Sequence, residues 1–382
     1  MTKHHAATYH KPRFLFRAAS DQSHGINTAF EIDQLAGGDY HQDLASTPRG
    51  MPGIMLAHHF VWNSTEYNYE SELSSWSVSL LWVLVHAIRK DSIRGEQNVQ
   101  VYVLDTQGLS HNRVHRATDL VRVFKLGDLH NGNMDAYCQG EYLIHGKLAN
   151  NDGFKAVALE QLVDAGLYRV FPALKTGTAQ GKHQERLYLR VLSLREELNA
   201  TLLSTTPSAI SLYKSLAACF GEQWEATLTL AFFSLRSYVR GMEAINDLSE
   251  ALEDLPLPQL SRLRNAMAVT NNLPDDGITE HSRFMQLLQK LCERRLMNAP
   301  DLEDLMAELT VVGKPTHGHA PQHHQRRTEA THKKTPVCQP AKATMLQSAS
   351  EGRKMSREGL NLGGVWVTRA FIEKCRPLPS EG

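Results

Sequence analysis

The stretch Phe14-Leu15-Phe16-Arg17-Ala18 is a short apolar run that carries a charged side chain near its end. Its aromatic and aliphatic residues predict a buried β-strand, and a charge at the end of such a strand needs a partner. The guanidinium of Arg17 keeps its proton and presents a planar fork of donors that suits phosphate or carboxylate. Two interpretations follow: Arg17 holds a bound anion, or it pairs with a surface carboxylate.

The residues that follow this strand are small and polar, and the segment ends in Gly25. A loop of this composition lets a ligand approach the backbone, and its amides would add hydrogen-bond donors for an anion. The loop therefore favours the anion interpretation of Arg17.

The composition of the whole chain is that of an ordinary globular protein with room for more than one domain. Its 382 residues are 42% hydrophobic and 21% charged, and 41 Lys and Arg balance 41 Asp and Glu. A net charge of zero gives no argument for a specific nucleic-acid partner or an anionic membrane. The five cysteines are widely spaced and odd in number. They predict neither a disulfide framework nor a zinc site, and we predict no metal.

Neither a secretory signal nor a membrane span is predicted from the sequence. The N-terminal segment lacks an apolar core, and the longest apolar stretch, near residues 78–88, is interrupted by Ser79 and His86. The scattered cysteines favour a reducing compartment. We therefore predict an intracellular protein, cytoplasmic or nuclear, without membrane contact.

Changes in residue pattern divide the chain into four segments. Residues 1–12 are predicted to be a flexible N-terminus, and residues 13–175 alternate strand-like with helix-like runs, which predicts an α+β domain. Residues 182–312 are helical throughout, with breaks at proline and glycine. Residues 313–382 are rich in His, Lys, Pro and Ser without apolar periodicity, which predicts a mostly disordered tail.

Within the α+β segment, residue type and periodicity predict individual elements. β-Branched and aromatic residues predict strands over Arg13–Ala18, Val99–Asp105 and Glu141–Leu148. Helical periodicity predicts helices over Val78–Arg89 and Ala156–Ala165.

Two further segments carry polar residues at the ends of apolar runs. In Glu72-Leu73-Ser74-Ser75-Trp76-Ser77-Val78-Ser79-Leu80, serines precede a helix-like run. Ser77 or Ser79 would cap that helix, or one hydroxyl would face a cleft and orient a catalytic carboxylate. In Cys138-Gln139-Gly140-Glu141, a carboxylate begins an apolar strand, and a residue in that position is by itself typical of an exposed strand edge.

Taken in this order, the three segments resemble the Arg–Ser–Glu pattern of ADP-ribosyltransferases of the cholera-toxin type. The resemblance implies that Arg17 binds the phosphates and ribose of NAD, that Ser75 orients the catalytic glutamate, and that Glu141 is this glutamate. Ser77 would be the last serine of the serine motif. Gln139 would occupy the upstream position that helps to choose the acceptor group.

Two positions depart from the pattern of that family. Trp76 stands where the toxins have threonine; an inward indole would stack on the nicotinamide, and an outward one would belong to the core. Gln139 stands where arginine-specific transferases have glutamate, which implies an acceptor other than arginine. The resemblance ends near residue 175, and the same segments are also similar to an uncharacterised domain family abundant in filamentous fungi.

These observations predict an α+β fold: an N-terminal ADP-ribosyltransferase-like split β-sheet domain with helices, followed by an all-α region and a disordered tail. We expect NAD to be the substrate and Arg17, Ser75 and Glu141 to act on it. The reaction would be ADP-ribosyl transfer to an unknown protein or small-molecule acceptor, or NAD hydrolysis. The other residues expected to contact NAD are Gly25, Ser77 and Trp76. The alternative is a catalytically inactive domain of the same fold that binds a protein partner.

Overall fold

Runs of β-branched and aromatic residues form the sheets of the computed structural model, and amphipathic runs form its helices, which confirms the predicted α+β class. The structure describes residues 11–41, 44, 51–61, 71–129, 134–149, 152–176, 187–200, 207–237, 248, 250, 277–298, 359–362 and 365–368. The described residues up to Met297, together with 359–362 and 365–368, belong to one compact unit.

The central sheet is antiparallel and has six strands. They are β1 (Phe14–Ala19), β4 (Leu73–Ser77), β5 (Gln100–Asp105), β6 (Val114–Arg116), β7 (Glu141–His145) and β9 (Phe154–Ala158). Their order across the sheet is β6-β7-β4-β1-β5-β9. A smaller sheet, in the order given, consists of β2 (Ile26–Asn27), β3 (Glu31–Asp33) and β8 (Leu148–Ala149).

The central sheet is split between β1 and β4. β1 pairs with β5 along its whole length, and β4 pairs with β7 along its whole length. Between β1 and β4 the register consists of the pair Phe16↔Ser77. Because the ladder does not continue past this pair, the two halves of the sheet separate there and leave main-chain groups of β4 open to side chains of β1.

Eleven helices with clear bounds lie in the described residues. Those of the first half are α1 (Met51–Val61), α2 (Leu80–Ser92), α3 (Ala117–Val123), α4 (Met134–Tyr137), α5 (Leu159–Asp164), α6 (Leu167–Val170) and α7 (Pro172–Thr176). Those of the predicted helical region are α8 (Leu187–Ala200), α9 (Pro207–Ala218), α10 (Glu222–Ser234) and α11 (Thr279–Asn298). Among the described residues, none is long and apolar enough to cross a bilayer.

The start of α2 shows a capping role for the serine segment, which is the first of its two predicted alternatives. Ser79 is the N-cap residue, and its hydroxyl accepts a hydrogen bond from the Trp82 amide at 3.0 Å. The amide of Ser79 in turn donates to the Ser77 hydroxyl at 3.0 Å. Both hydroxyls therefore satisfy main-chain donors where the strand becomes a helix.

The helical region shares a hydrophobic core with the α+β region. One cluster of buried residues contains Phe16 of β1 together with Phe232 of α10 and Leu287 of α11. The described residues of 13–175 and of 187–297 are therefore packed together in the same compact unit.

Three parts of the fold differ from the sequence predictions. The helix predicted over Ala156–Ala165 begins at Leu159, because Phe154–Ala158 pairs with β5 as a strand. In the tail, which is predicted to be mostly disordered, β10 (Gly359–Leu362) and β11 (Val365–Thr368) form an antiparallel hairpin, and the rest of residues 313–382 lies outside the described residues.

The third difference is at the N-terminus, which is predicted to be flexible through residue 12. The carbonyl of Pro12 accepts a hydrogen bond from the Thr106 hydroxyl at 2.6 Å. Residues 1–10 lie outside the described part of the chain.

Candidate active site

Arg17 lies where β1 and β4 separate. Its Nη1 donates to the main-chain carbonyl of Ser75 at 2.9 Å, and its Nη2 donates to Oδ1 of Asn27, also at 2.9 Å. The β1–β4 ladder does not reach Ser75, so the guanidinium satisfies a main-chain acceptor that β1 leaves open. Arg17 thereby connects the two halves of the central sheet with the smaller sheet.

The guanidinium of Arg17 is an incompletely satisfied cation. Its partners are a main-chain carbonyl and an amide oxygen, rather than the surface carboxylate of the second interpretation. Its buried Nε has no hydrogen-bond partner among the described residues. Burial lowers the pKa of Arg17 to about 10, while Tyr102 and Glu141 act to raise it. Arg17 therefore stays charged near neutral pH, and a bound anion would supply the missing acceptor.

Glu141 begins β7 next to β4, directly across from Ser77. Its carboxylate accepts hydrogen bonds from the Ser75 hydroxyl and the Cys138 thiol. Burial raises the pKa of Glu141 to about 7, and the two hydrogen bonds and the charge of Arg17 act to lower it. Near neutral pH the carboxyl group is consequently present in both protonation states.

The three residues of the predicted Arg–Ser–Glu pattern are thus brought together. Arg17 is on β1, Ser75 on β4 and Glu141 on β7, which are neighbours in the sheet. Ser75 is the connecting residue, because its carbonyl accepts from Arg17 and its hydroxyl donates to Glu141.

His59 is a further residue of this site, and the sequence motifs do not indicate it. It lies on α1, and its Nε2 is 2.7 Å from the Ser75 hydroxyl oxygen. Its Nδ1 is 3.0 Å from the hydroxyl oxygen of Ser71. Burial, followed by the charges of Arg17 and His24, lowers the pKa of His59 to about 4, so the imidazole is neutral near pH 7.

One tautomer of His59 satisfies every group in this chain of hydrogen bonds. Since Ser75 gives its only hydroxyl hydrogen to Glu141, it must accept at its oxygen, and Nε2 of His59 must carry the hydrogen. Nδ1 then accepts from Ser71, whose oxygen accepts the Leu73 amide at 3.3 Å. The hydrogen bonds therefore all run in one direction, from Leu73 to the Glu141 carboxylate.

Trp76 is placed in the core, which is the second of the two alternatives for its indole. Only 1% of the residue is exposed, and Nε1 donates to the Ser74 hydroxyl at 2.9 Å. It packs in a cluster with Leu15, Val78 and Tyr142. In this conformation the ring offers no free face for stacking on a nicotinamide.

The loop after Arg17 is held by protein groups. The amide of Ser20 donates to the Ser23 hydroxyl at 2.9 Å, and the amide of Ser23 donates to the Ser20 carbonyl at 3.0 Å. A buried ion pair between Lys90 and Glu96, 2.8 Å apart, lies against the same serines. The amides of Ser20 and Ser23 are therefore occupied by protein groups, and donation to an anion by other amides of this loop stays a prediction.

Gly25 has a structural reason to be glycine. Its φ is +71°, and a Cβ there would lie 2.4 Å from the Asp33 carbonyl oxygen and 2.6 Å from the Gln34 Cα. The close approach at Gly25 is thus made by the main chain of β3 and the residue after it. Contact of Gly25 with NAD stays a prediction.

Gln139 lies in the turn between α4 and β7 and is exposed. Its amide group packs on Gly277, where a Cβ would lie 2.7 Å from Nε2 of Gln139. The turn that carries Gln139 toward Glu141 is therefore in contact with the segment that leads into α11.

A shallow pocket opens between β1 and α11. It is lined mainly by apolar side chains, including Phe14, Phe16, Val78, Phe284 and Leu288. Arg17, Ser75 and Glu141 do not line it. The candidate site is thus defined by its hydrogen bonds and charges, and not by this pocket.

Comparison with known proteins gives one match. Residues 10–151 match the model of a family described as a domain of unknown function (DUF7587). The matched stretch contains Arg17, His59, Ser75 and Glu141, and it ends before the helical region. No curated protein and no solved structure matches the chain.

The raised pKa of Glu141 predicts a pH-dependent stability. The pKa is about 7 in the folded protein, above the ordinary value of 4.5, so the folded state binds more protons than the unfolded chain between these values. The stabilisation is present below about pH 4.5 and is lost as the pH rises through 7. We expect the free energy of unfolding of the wild type, relative to Glu141→Gln, to fall from pH 5 to pH 8 by up to about 1.4 kcal/mol per pH unit.

Chemical denaturation of both proteins at several pH values measures this difference. Groups other than Glu141 titrate in both proteins, so their contributions cancel in the comparison. A difference that does not change with pH would contradict a raised pKa at Glu141.

Proposed function

We propose that this chain cleaves NAD, transferring its ADP-ribosyl group to an acceptor or to water. The observation that carries the proposal is the hydrogen-bonded connection of Arg17, Ser75 and Glu141 across three neighbouring strands. These are the residue types, in the chain order, of the ADP-ribosyltransferases that the sequence resembles.

The chemistry of nicotinamide release accounts for the need for a carboxylate. The bond between nicotinamide and ribose breaks with its electron pair going to the pyridinium ring, so nicotinamide leaves neutral and positive charge develops on the ribose. The Glu141 carboxylate would stabilise that charge from a position fixed by Ser75 and Cys138. A hydroxyl or amine of the acceptor, or water, then adds to the ribose carbon, and its proton passes to the carboxylate.

Arg17 would bind the pyrophosphate of NAD. The buried cation has one unpaired donor, and a pyrophosphate is an anion with several acceptor oxygens. A pKa near 7 at Glu141 also places it close to the working pH of a general base.

The proposed setting is intracellular, cytoplasmic or nuclear. Cys138 and Cys219 carry free thiols, as expected of a reducing compartment. The proposed partners are NAD and an acceptor that contacts Gln139, which is exposed beside Glu141. Fluorescence microscopy of the tagged full chain tests the location, and an extracellular signal would contradict it.

The role proposed for His59 is to hold the Ser75 hydroxyl toward Glu141. His59→Gln keeps an amide donor near the position of the imidazole Nε2, whereas His59→Phe keeps a ring and removes both nitrogens. We expect His59→Phe to lower kcat for nicotinamide release about tenfold, the effect of one hydrogen bond, and His59→Gln to lower it less than about threefold. KM for NAD should stay unchanged in both.

Steady-state kinetics and thermal denaturation of the two variants separate this role from a purely structural one. If His59 only supports the fold, kcat will follow Tm, and the better-folded variant will also be the more active one. Equal kcat for His59→Phe and the wild type would exclude the proposed role.

The experiment that tests the proposed function is an assay of nicotinamide release from NAD by the purified full chain. It is run with and without a mixture of candidate acceptors, so that transfer and hydrolysis are both detected. Binding of NAD to the folded state should also raise Tm. Absence of nicotinamide between pH 5 and pH 9, with no thermal shift, would contradict the proposal.

A further inference from the structure

The first turn of α11, together with the two residues before it, lies against the candidate site. Gly140, with a φ of +72°, packs on Ile278, and a Cβ at Gly140 would lie 2.0 Å from Cδ1 of Ile278. Gln139 packs on Gly277 in the same way, at 2.7 Å from the Cβ position. The turn that leads into Glu141 is thus covered by two consecutive residues of the helical region.

The opposite side of this turn is held by the end of the serine segment. The Val78 amide donates to the Gly140 carbonyl at 3.0 Å. Val78 is also within 3.2 Å of the Cβ position of Gly140. Gly140 is therefore confined between Val78 and Ile278, and no residue with a side chain fits there without a shift.

A buried ion pair fixes the start of α11 relative to the same serine segment. Glu280 is 2% exposed and accepts hydrogen bonds from Arg195 of α8, at 3.0 Å from Nε and 2.9 Å from Nη2. The Ser79 hydroxyl donates to the same carboxylate. The N-cap residue of α2 and the first turn of α11 are thus tied together.

Ile278, the residue before α11, packs in a different cluster from the buried residues further along the helix. It is 2% exposed and belongs to the core cluster that contains Trp76 and Tyr142 of β4 and β7. Further along α11, Leu287 and Leu288 belong to the other cluster, with β1 and the remaining helices. Among the described residues, Ile278 thus belongs to the cluster next to the candidate site, whereas Leu287 and Leu288 pack on the other side.

We propose that residues 277–280 form part of the candidate site, and that Ile278 is a positioning residue that holds the turn 138–140 so that the Glu141 carboxyl meets Ser75. This inference deepens the proposed function and rests on it for the catalytic consequence. It gives the helical region a role beyond packing: the region fixes the approach of the glutamate to the strand that carries the serine.

The groups that face Glu141 determine how a looser turn would change the pKa of its carboxyl group. They are Arg17 of β1, Ser75 of β4, and Tyr137 and Cys138 at the end of α4. Burial acts to raise the pKa of Glu141, and the hydrogen bonds and Arg17 act to lower it. If Ile278 brings the carboxyl to Ser75, its truncation weakens the Ser75 hydrogen bond that lowers the pKa of Glu141, and the pKa should rise further above that of an ordinary carboxyl group.

The test compares Ile278→Ala with Leu287→Ala in the full chain. Both changes truncate a buried aliphatic side chain, Ile278 just before α11 and Leu287 within it, with 2% and 0% of the residue exposed, so both should lower Tm by similar amounts. Ile278→Ala alone should raise the titration midpoint of Glu141, by about one pH unit, and lower kcat for nicotinamide release about tenfold with little change in KM. Ile278→Val, which lacks only Cδ1, should give smaller changes of the same sign in a protein that folds well.

The midpoint is measured by infrared or carbon NMR titration of the carboxyl groups, with Glu141→Gln as the subtraction, so it does not require activity. An unchanged midpoint in both Ile278 variants, or an equal change in Leu287→Ala, would overturn the inference. If the wild type releases no nicotinamide and yet the midpoint shifts only in the Ile278 variants, the proposed function fails while the positioning of Glu141 stands.

Discussion

Glu141→Gln is expected to lower the rate of nicotinamide release by about 10²–10³-fold or more while leaving NAD affinity nearly unchanged. The amide keeps the shape of the side chain and can still accept from Ser75, but it carries no charge to stabilise the developing positive ribose. Because that charge exists only in the transition state, kcat falls and KM does not. Steady-state nicotinamide release and the NAD-dependent rise in Tm measure the two quantities separately.

Glu31→Gln is the matched control for this experiment. Glu31 is a partly exposed carboxylate of β3 that pairs with Lys147 and lies in the same compact unit. It should release nicotinamide at the rate of the wild type. Equal release by the wild type and Glu141→Gln would exclude Glu141 as the catalytic carboxylate. No release by any of the three proteins, with no thermal shift, would favour the protein-binding alternative.

The sequence predicts those elements whose local residue preferences agree with the final pairing. The strand predicted over Val99–Asp105 is β5, which begins one residue later, at Gln100. The segment Phe154–Ala158 is the opposite case, because its alanines favour a helix and its pairing with β5 imposes a strand. Helix α1 is hidden by Pro52 and Gly53, which are unfavourable in helix interiors but lie within its first turn.

The candidate site is predictable only in part, for a similar reason. Arg17, Ser75 and Glu141 can be proposed from residue type and chain order, since each follows or begins a recognisable apolar run. The pairing of His59 with Ser75 depends on how α1 docks, and no local pattern encodes that docking. The sequence shows two adjacent histidines, His58 and His59, after an apolar run, and nothing in it distinguishes the one that reaches Ser75.

Contacts between distant segments also account for Trp76 and Gly25, two residues that the sequence predicts to contact NAD. The indole of Trp76 is enclosed by side chains from neighbouring strands, which the single residue cannot reveal. The missing side chain of Gly25 makes room for the main chain around Asp33. In both cases the residue type is informative, and its meaning depends on what the fold places against it.

Arg17→Lys is expected to weaken NAD binding by about 10- to 100-fold, the effect of losing a charge-assisted hydrogen bond to phosphate. Lysine keeps the positive charge, so the change tests the planar fork of donors and not the charge itself. The Arg17 guanidinium donates to Ser75 and to Asn27, each at 2.9 Å. A single ammonium group cannot make both of these hydrogen bonds and also reach an anion. Calorimetric titration with NAD measures the affinity.

The change should also lower Tm, because the Ser75 carbonyl or the Asn27 amide oxygen loses its donor where the sheet splits. Asn27→Leu provides the comparison: it removes one partner of Arg17 and keeps the guanidinium, so it should lower Tm and leave NAD affinity within about threefold of the wild type. If Arg17 serves only to join β1, β2 and β4, the two variants will lose stability without any difference in NAD binding. A selective loss of NAD affinity in Arg17→Lys would instead mean that Arg17, at the split between β1 and β4, binds the pyrophosphate.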